Sequence, residues 1–448
     1  MMKKVETSHQ TPKEIASKMD EYIIGQTDAK KAVAIAFVNR GRRMMIEDEQ
    51  MRGEICPKNV LLYGPTGVGK TEIARRVADI TDSPFIKVEM TKFTEVGYAG
   101  KDVESIIRDL VELTIKREKD KLAKLQEINA KKSALKYVAK AMKEFGIENV
   151  DETKLANGEY DNQEIQIEMP EGTGRKKVEN DIFGDTSGSF LGGTATIVGI
   201  MPLFEIGAKE KAQKKKELKT LKIREALEMI VEDEVFKYVD KHFIVADVLK
   251  KVEQRGVVFL DEIDKLISNK ESQSRGEVSR EGVQRDLLPV IEGTMVQTKY
   301  GAIRTDHILF IAAGAFHDNK ITDLMPELQG RFPVQVKLKS LTVDDFEHIL
   351  TDVKYNILEQ QKMLLKVDGV DVIFEPSGIN EIAKTAYRMN SDMENTGARR
   401  LYSVMETVME EANYSAKSGT EFIINDKYVK KATSEKIDDK VDVRKYMI

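Results

Sequence analysis

Gly64-Pro65-Thr66-Gly67-Val68-Gly69-Lys70-Thr71 is the stretch on which the reading of this chain turns. It follows an apolar run, Asn59-Val60-Leu61-Leu62-Tyr63, and leads into a helical pattern, Glu72-Ile73-Ala74-Arg75-Arg76-Val77. Strand, glycine loop and helix in that order are the setting a phosphate-binding loop requires. Glycines let the backbone curl so that successive N–H groups turn inward, and the following helix adds its positive N-terminal end. Lys70 is then placed to reach the β- and γ-phosphates of a nucleoside triphosphate, and the Thr71 hydroxyl to ligate Mg²⁺. A glycine turn that matched by chance would not meet all these requirements at once.

The second informative stretch is Gly256-Val257-Val258-Phe259-Leu260-Asp261-Glu262-Ile263-Asp264. Four apolar residues ending in two acids read as a buried parallel strand with carboxylates at its C-terminal edge. Ligands bind at that edge in open α/β sheets. Asp261 is expected to hold Mg²⁺, directly or through water, and Glu262 to act as general base on the water attacking the γ-phosphate. Alone, such a strand end would read as the cap of the next helix. Beside a phosphate loop it reads as a Walker B pair. A third core strand is expected at His307-Ile308-Leu309-Phe310-Ile311-Ala312-Ala313.

Hydrolysis also needs positive charge where the phosphoryl group spreads its negative charge. Arg331, in Pro326-Glu327-Leu328-Gln329-Gly330-Arg331, and Arg399, in Gly397-Ala398-Arg399-Arg400-Leu401, are candidates. A lone arginine is ordinarily a surface residue, so generic reasoning favours neither. Gly97-Tyr98-Ala99-Gly100 leaves two readings open: a turn whose tyrosine packs locally, or a flexible loop that grips something apolar.

The span from Lys70 to Asp261 is far longer than one or two βα units need. We therefore expect an α/β nucleotide-binding domain in two pieces, 1–110 and 249–332, interrupted by an inserted, mainly helical domain at 111–248. Residues 116–145 and 208–253 read as charged helix and 172–199 as a mobile loop. Residues 333–448 read as a separate, mostly helical C-terminal domain, with amphipathic segments near 344–365, 376–390 and 397–415. Short strands are expected near Phe374 and 421–424. At the N-terminus, Thr11-Pro12-Lys13-Glu14 reads as a capped helix start, and Gly25 as the end of that helix.

Composition narrows the function classes. At 448 residues the chain is long enough for several domains and needs no covalent staples. The single cysteine, Cys56, excludes an intramolecular disulfide and any multi-cysteine zinc module. A net charge of −5 gives no overall field for nucleic acid, which is not an expected partner. No signal-like segment and no run of about 18 apolar residues is present, so a cytoplasmic protein without a membrane span is expected. The five histidines show no metal-ligand spacing, and neither His-Glu-x-x-His nor a Gly-x-Ser-x-Gly elbow occurs.

Taken together these blocks resemble the AAA+ ATPases and, within them, the HslU (ClpY) family. The likeness runs through Tyr22-Ile23-Ile24-Gly25-Gln26, Thr91-Lys92-Phe93-Thr94-Glu95-Val96-Gly97-Tyr98 and the stretches around Arg331 and Arg399. The resemblance implies an ATP-driven homo-hexameric ring that unfolds protein substrates and threads them into an HslV-type peptidase. It implies that Ile24 contacts the adenine, that Gly67, Val68, Gly69, Lys70, Thr71 and Glu72 surround the phosphates, and that Asp261 meets the Mg²⁺–nucleotide. Glu327 and Arg331 would act at a subunit boundary, Arg331 reaching the neighbour's nucleotide, while Arg399 would sense the γ-phosphate. Gly97, Tyr98, Ala99 and Gly100 would form the substrate-pushing pore loop. Arg444, Tyr446 and Ile448, in the tail Arg444-Lys445-Tyr446-Met447-Ile448, would dock the peptidase. Two positions depart from the family pattern: Ala99 stands where valine is usual, and Ala313 where a serine is. A ClpX-like unfoldase is the nearest alternative, but the chain lacks that family's four-cysteine module and has no Gly-Phe dipeptide. A nucleotide-gated scaffold is a further alternative, against which the intact Glu262 and Arg331 argue.

Overall fold

The computed structural model describes residues 10–93, 101–144, 146–147, 150–169, 217–267 and 280–434. They fall into two compact units. One comprises 1–115 with 245–448, and the other, Lys116–Ile244, is inserted within it.

The elements of the first unit begin with α1 (Pro12–Asp20), α2 (Thr27–Met44), α3 (Glu49–Glu54), β1 (Val60–Tyr63), α4 (Lys70–Ile80) and β2 (Phe85–Glu89). α5 (Ser105–Glu144) starts here and ends in the insert. The insert continues through α6 (Glu152–Ala156), β3 (Glu164–Met169), β4 (Glu217–Lys222) and α7 (Ile223–His242). The first unit resumes with α8 (Val245–Arg255), β5 (Val257–Asp261), α9 (Arg280–Glu292), β6 (Met295–Thr298), β7 (Gly301–Arg304) and β8 (Leu309–Gly314). It closes with α10 (Pro326–Gly330), β9 (Val334–Lys337), α11 (Val343–Thr351), α12 (Ile357–Val367), β10 (Asp371–Phe374), α13 (Pro376–Asp392), α14 (Arg399–Ser415) and β11 (Glu421–Ile424).

The central sheet is parallel throughout, in the order β2-β5-β8-β1-β9. Val60 to Leu62, Val257 to Leu260 and all of β8 are buried, as strands covered on both faces must be. The order sets the site. β8 lies between β1 and β5, so its last residue, Gly314, stands between the glycine loop after β1 and the carboxylates after β5.

The helices after Phe332 share the core of the first unit. Val68 of the glycine loop belongs to the same buried cluster as Val404, Met405 and Val408 of α14, with Leu62, Phe259 and Ile311 from the sheet. The insert has its own smaller core, in which Ala134, Val138 and Met142 of α5 recur every fourth residue and meet Ile165, Ile167, Ile223 and Ile230.

Several local expectations are corrected. α1 stops at Asp20, and Gly25 instead opens a pair of left-handed residues with Gln26 that leads into α2. Residues 217–222, read as helix for their charge, form a strand. Glu217-Leu218-Lys219-Thr220-Leu221-Lys222 pairs antiparallel with β3, tertiary pairing overriding composition. The segment 344–365 is two helices, because Asn356 caps a new start at α12. The hairpin β6–β7 and the edge strand β9 were not anticipated, being only four residues each. The proposed mobile loop at 172–199 lies outside the described residues.

Candidate functional site

The glycine loop takes the backbone form its sequence promises. Gly64, Gly67 and Gly69 all have positive φ, at 133°, 67° and 102°, and Gly69 caps α4 so that Lys70 opens the helix. Side chains are excluded for a second reason. A Cβ on Gly64 would lie 2.6 Å from the Leu338 carbonyl oxygen, and one on Gly67 would run into the Thr396 carbonyl.

Lys70 is drawn inward, its Nζ donating to the carbonyls of Gly64 at 2.6 Å and Pro65 at 2.8 Å. Burial pushes its pKa down to about 8, with Arg399 adding to the depression and Asp261 and Asp264 opposing it. Arg399, exposed at the start of α14, thus lies close enough to feel Lys70. Thr71 Oγ1 is 3.4 Å from Asp261 Oδ2, which brings the two expected Mg²⁺ donors to one place.

Glu262 has φ 58° and ψ 40°, a left-handed conformation uncommon for a non-glycine residue. Its N–H donates to Asp261 Oδ1 at 3.1 Å, and its exposed carboxylate makes no hydrogen bond or ion pair with a described residue. The turn is anchored two residues further on by Asp264, which is buried and accepts the Phe316 N–H at 3.3 Å. Gly314 leaves room for this anchor, since a Cβ there would lie 2.8 Å from Asp264 Oδ1.

Ile24 is half-buried beside the loop; its neighbour Ile23 puts Cγ2 3.5 Å from where a Gly69 Cβ would stand. Lys30, itself buried, holds this segment by donating to the Ile23 carbonyl at 2.6 Å and pairing with Asp20. The Glu72 carboxylate is committed elsewhere. It accepts from Arg75 at 2.7 Å and Arg76 at 2.6 Å; burial pushes its pKa up, but these two arginines outweigh that and lower it. Only the backbone of Glu72 is left to face a phosphate.

Arg331 and Glu327 stand apart from this cluster. Both are exposed on or just after α10, and Arg331 pairs with Glu292 at 2.5 Å. No hydrogen bond or ion pair ties Arg331 to the described residues of the glycine loop, Asp261 or Glu262. Gly97, Tyr98, Ala99 and Gly100, and likewise Arg444, Tyr446 and Ile448, lie outside the described residues. What is described is the base of the first loop: Phe93 and Lys101 form a parallel bridge.

Sequence reasoning missed Lys87, whose Nζ lies 2.8 Å from Asp261 Oδ2. The alternation in Phe85-Ile86-Lys87-Val88-Glu89 puts Lys87 on a polar face, but only the adjacency of β2 and β5 reveals its partner. It also missed Thr66, Asn390 and Asn395, which join the loop to the segment before α14.

Residues 60–146 match the model of the ATPase family associated with various cellular activities (AAA), and residues 164–335 that of the AAA domain (Cdc48 subfamily). The ATP-dependent protease ATPase subunit HslU of Beijerinckia indica subsp. indica is 46% identical over 429 residues, covering 94% of this chain and 95% of that protein. A likeness of that depth and extent leaves no long segment unaccounted for on either side, and this chain belongs to the HslU family of AAA ATPases.

Proposed function

We propose that this chain hydrolyses ATP to unfold proteins and deliver them to an HslV-type peptidase, the peptide-bond chemistry belonging to the partner. The observation that carries the reading is the convergence of Lys70, Thr71 and Asp261 at the carboxyl edge of the sheet, in a chain with an ATPase-subunit relative at 46% identity.

The residues fit a Mg²⁺–nucleotide. A hydroxyl and a carboxylate 3.4 Å apart offer hard oxygen donors, and no cluster of three or more His, Cys, Asp or Glu among the described residues suggests a different metal centre. The ion, when bound, would neutralise phosphate charge. Lys70 would exchange its carbonyl partners for phosphate oxygens, and burial sharpens the attraction. Lys87, 2.8 Å from Asp261 Oδ2, would orient that carboxylate. Glu262, with no partner among the described residues to compete, would take the proton of the attacking water.

Arg331 would serve a neighbouring copy, which makes a homo-hexameric ring a condition of turnover. Arg399 would report the γ-phosphate. Tyr98 would push on substrate, and the tail from Arg444 to Ile448 would dock the peptidase. No described helix is long and apolar enough to cross a membrane, which leaves a cytoplasmic site of action open to proposal.

The test is cleavage of a fluorogenic peptide by an HslV-type peptidase with this chain added, with and without ATP. ATP-dependent stimulation that disappears on deleting residues 444–448 is expected. Absence of stimulation with ATPase activity intact would remove the peptidase pairing from the proposal.

A further inference from the structure

The outer side of the glycine loop is gripped by a segment more than three hundred residues away in sequence. Thr66 Oγ1 donates to the Asn395 carbonyl at 2.8 Å, and the Ala398 N–H donates to the Gly67 carbonyl at 2.9 Å. The two backbones touch with no space between them. A Cβ on Gly397 would lie 2.5 Å from the Thr66 carbonyl oxygen and 2.6 Å from the Gly67 carbonyl, and Gly397 is itself left-handed at φ 59°. Asn390, buried on α13, shapes the gripping segment: it accepts the Thr396 N–H at 3.1 Å and donates to the Gly397 carbonyl at 3.0 Å. Asn395 Oδ1 accepts the Gly397 N–H at 2.9 Å.

A loop that binds an anion must present amide N–H groups and keep its carbonyl oxygens turned away. In a planar trans peptide the C=O and the following N–H point in opposite directions. Fixing the Gly67 carbonyl on Ala398 therefore turns the Val68 N–H to the other side. Gly64 and Pro65 have their carbonyls tied by Lys70, but a phosphate would compete for that lysine. The bond from Ala398 has no such competitor.

We propose that residues 395–398, shaped by Asn390 and latched to Thr66, preset the glycine loop for the diphosphate part of a nucleotide. The inference rests on the reading that residues 64–71 hold nucleotide phosphates, and it assigns Thr66 and Asn390 as positioning residues. Their contribution acts on the loop, not on the γ-phosphate, so it is shared equally by di- and triphosphates. Arg399, a charge beside Lys70, differs in favouring the triphosphate.

The experiment measures binding of fluorescent N-methylanthraniloyl-ADP and of a slowly hydrolysed ATP analogue to the full chain. Thr66→Val, which removes the latch hydroxyl but keeps the branched shape, is expected to weaken both ligands alike, by about fivefold. Thr66→Ser should return both affinities to within about twofold, since it restores one hydrogen bond. Asn390→Ala should weaken both ligands, and Arg399→Ala the ATP analogue more than ADP. In the unaltered chain, ADP should slow hydrogen exchange of peptides covering 395–398, as reciprocal coupling requires. Unchanged affinities in Thr66→Val and Asn390→Ala, with melting temperature alone reduced, would make the latch merely structural and overturn the proposal. Lys70→Ala separates the two levels: if it binds both ligands normally, the phosphate-loop reading itself fails.

Discussion

The carboxyl edge of the central sheet gathers Lys70, Lys87, Asp261 and Asp264, while the opposite edge gathers Arg40, Arg43, Gln254 and His307. Both edges bury charge, but they satisfy it differently. At the carboxyl edge cations face carboxylates, and among the described residues Lys70 is hydrogen-bonded only to carbonyls that a phosphate can replace. At the amino edge no carboxylate among the described residues hydrogen-bonds the Arg40 or Arg43 guanidinium. Arg40 donates to the Gly256 carbonyl at 2.7 Å, and Arg43 to Gln254 at 2.9 Å and to the Arg52 carbonyl at 2.8 Å. The Arg40 Nε and His307 Nδ1 atoms are buried with no hydrogen-bond partner among the described residues. One edge keeps its charges exchangeable and the other locks them into the scaffold. Charge at the first should matter for turnover, and charge at the second for stability.

The largest effect is expected from Glu262→Gln. With Glu262 as the proposed general base, loss of its carboxylate should lower turnover at least about 100-fold, while nucleotide affinity and melting temperature stay close to those of the parent. A steady-state ATPase assay beside a binding titration checks this. Retained hydrolysis would transfer the catalytic task away from the carboxyl edge and blur the contrast.

Arg40→Met probes the opposite edge. Burial, with Arg255 beside it, pushes the Arg40 pKa down to about 9, so the charged form is carried at a cost. The Gly256 carbonyl keeps a second donor, the Leu309 N–H at 3.0 Å. The variant should retain ATPase activity and melt no lower than the parent, rising by up to about 3 °C in differential scanning fluorimetry. A fall of more than about 5 °C would mean that the hydrogen bond outweighs the cost of the charge.

The smallest effect concerns pH. Arg43 lies 2.5 Å from His307 Nε2, which must accept, so the Nδ1 carries the proton. Burial, then Arg43, hold the His307 pKa below its ordinary 6.5. The unfolded chain therefore binds a proton that the folded chain refuses, and this contribution to stability is present above pH 6.5 and lost as the pH falls below it. Glutamine can accept from Arg43 without titrating. Melting temperatures of His307→Gln, followed from pH 7 to 5, should drop less steeply than those of the parent; parallel curves would clear His307 of the role.

How much of this was legible beforehand depended on the range of the interactions. β1, β5 and β8 announce themselves because parallel strands buried on both faces are uninterrupted apolar runs. Thr11 and Glu14 likewise declare the capping box that the fold forms. The glycine loop was readable because each glycine answers a local backbone demand. Lys87 was not readable, since its partner lies across two strands whose adjacency no local pattern encodes. Nor was the latch of Thr66 to Asn395, which joins positions 329 residues apart. The β3–β4 pair was hidden by composition, because Glu217, Lys219 and Lys222 suit a solvated helix as well as a strand.

The bridge between Phe93 and Lys101 has an evolutionary consequence. It clips the chain together at positions 93 and 101, one on either side of residues 94–100. Closing a loop costs little more as it lengthens, about 0.6 kcal/mol for each doubling. Insertions and substitutions between the clips would leave the sheet nearly indifferent. Selection can then vary the sequence between the clips, where Gly97 to Gly100 fall, without renegotiating how the chain folds.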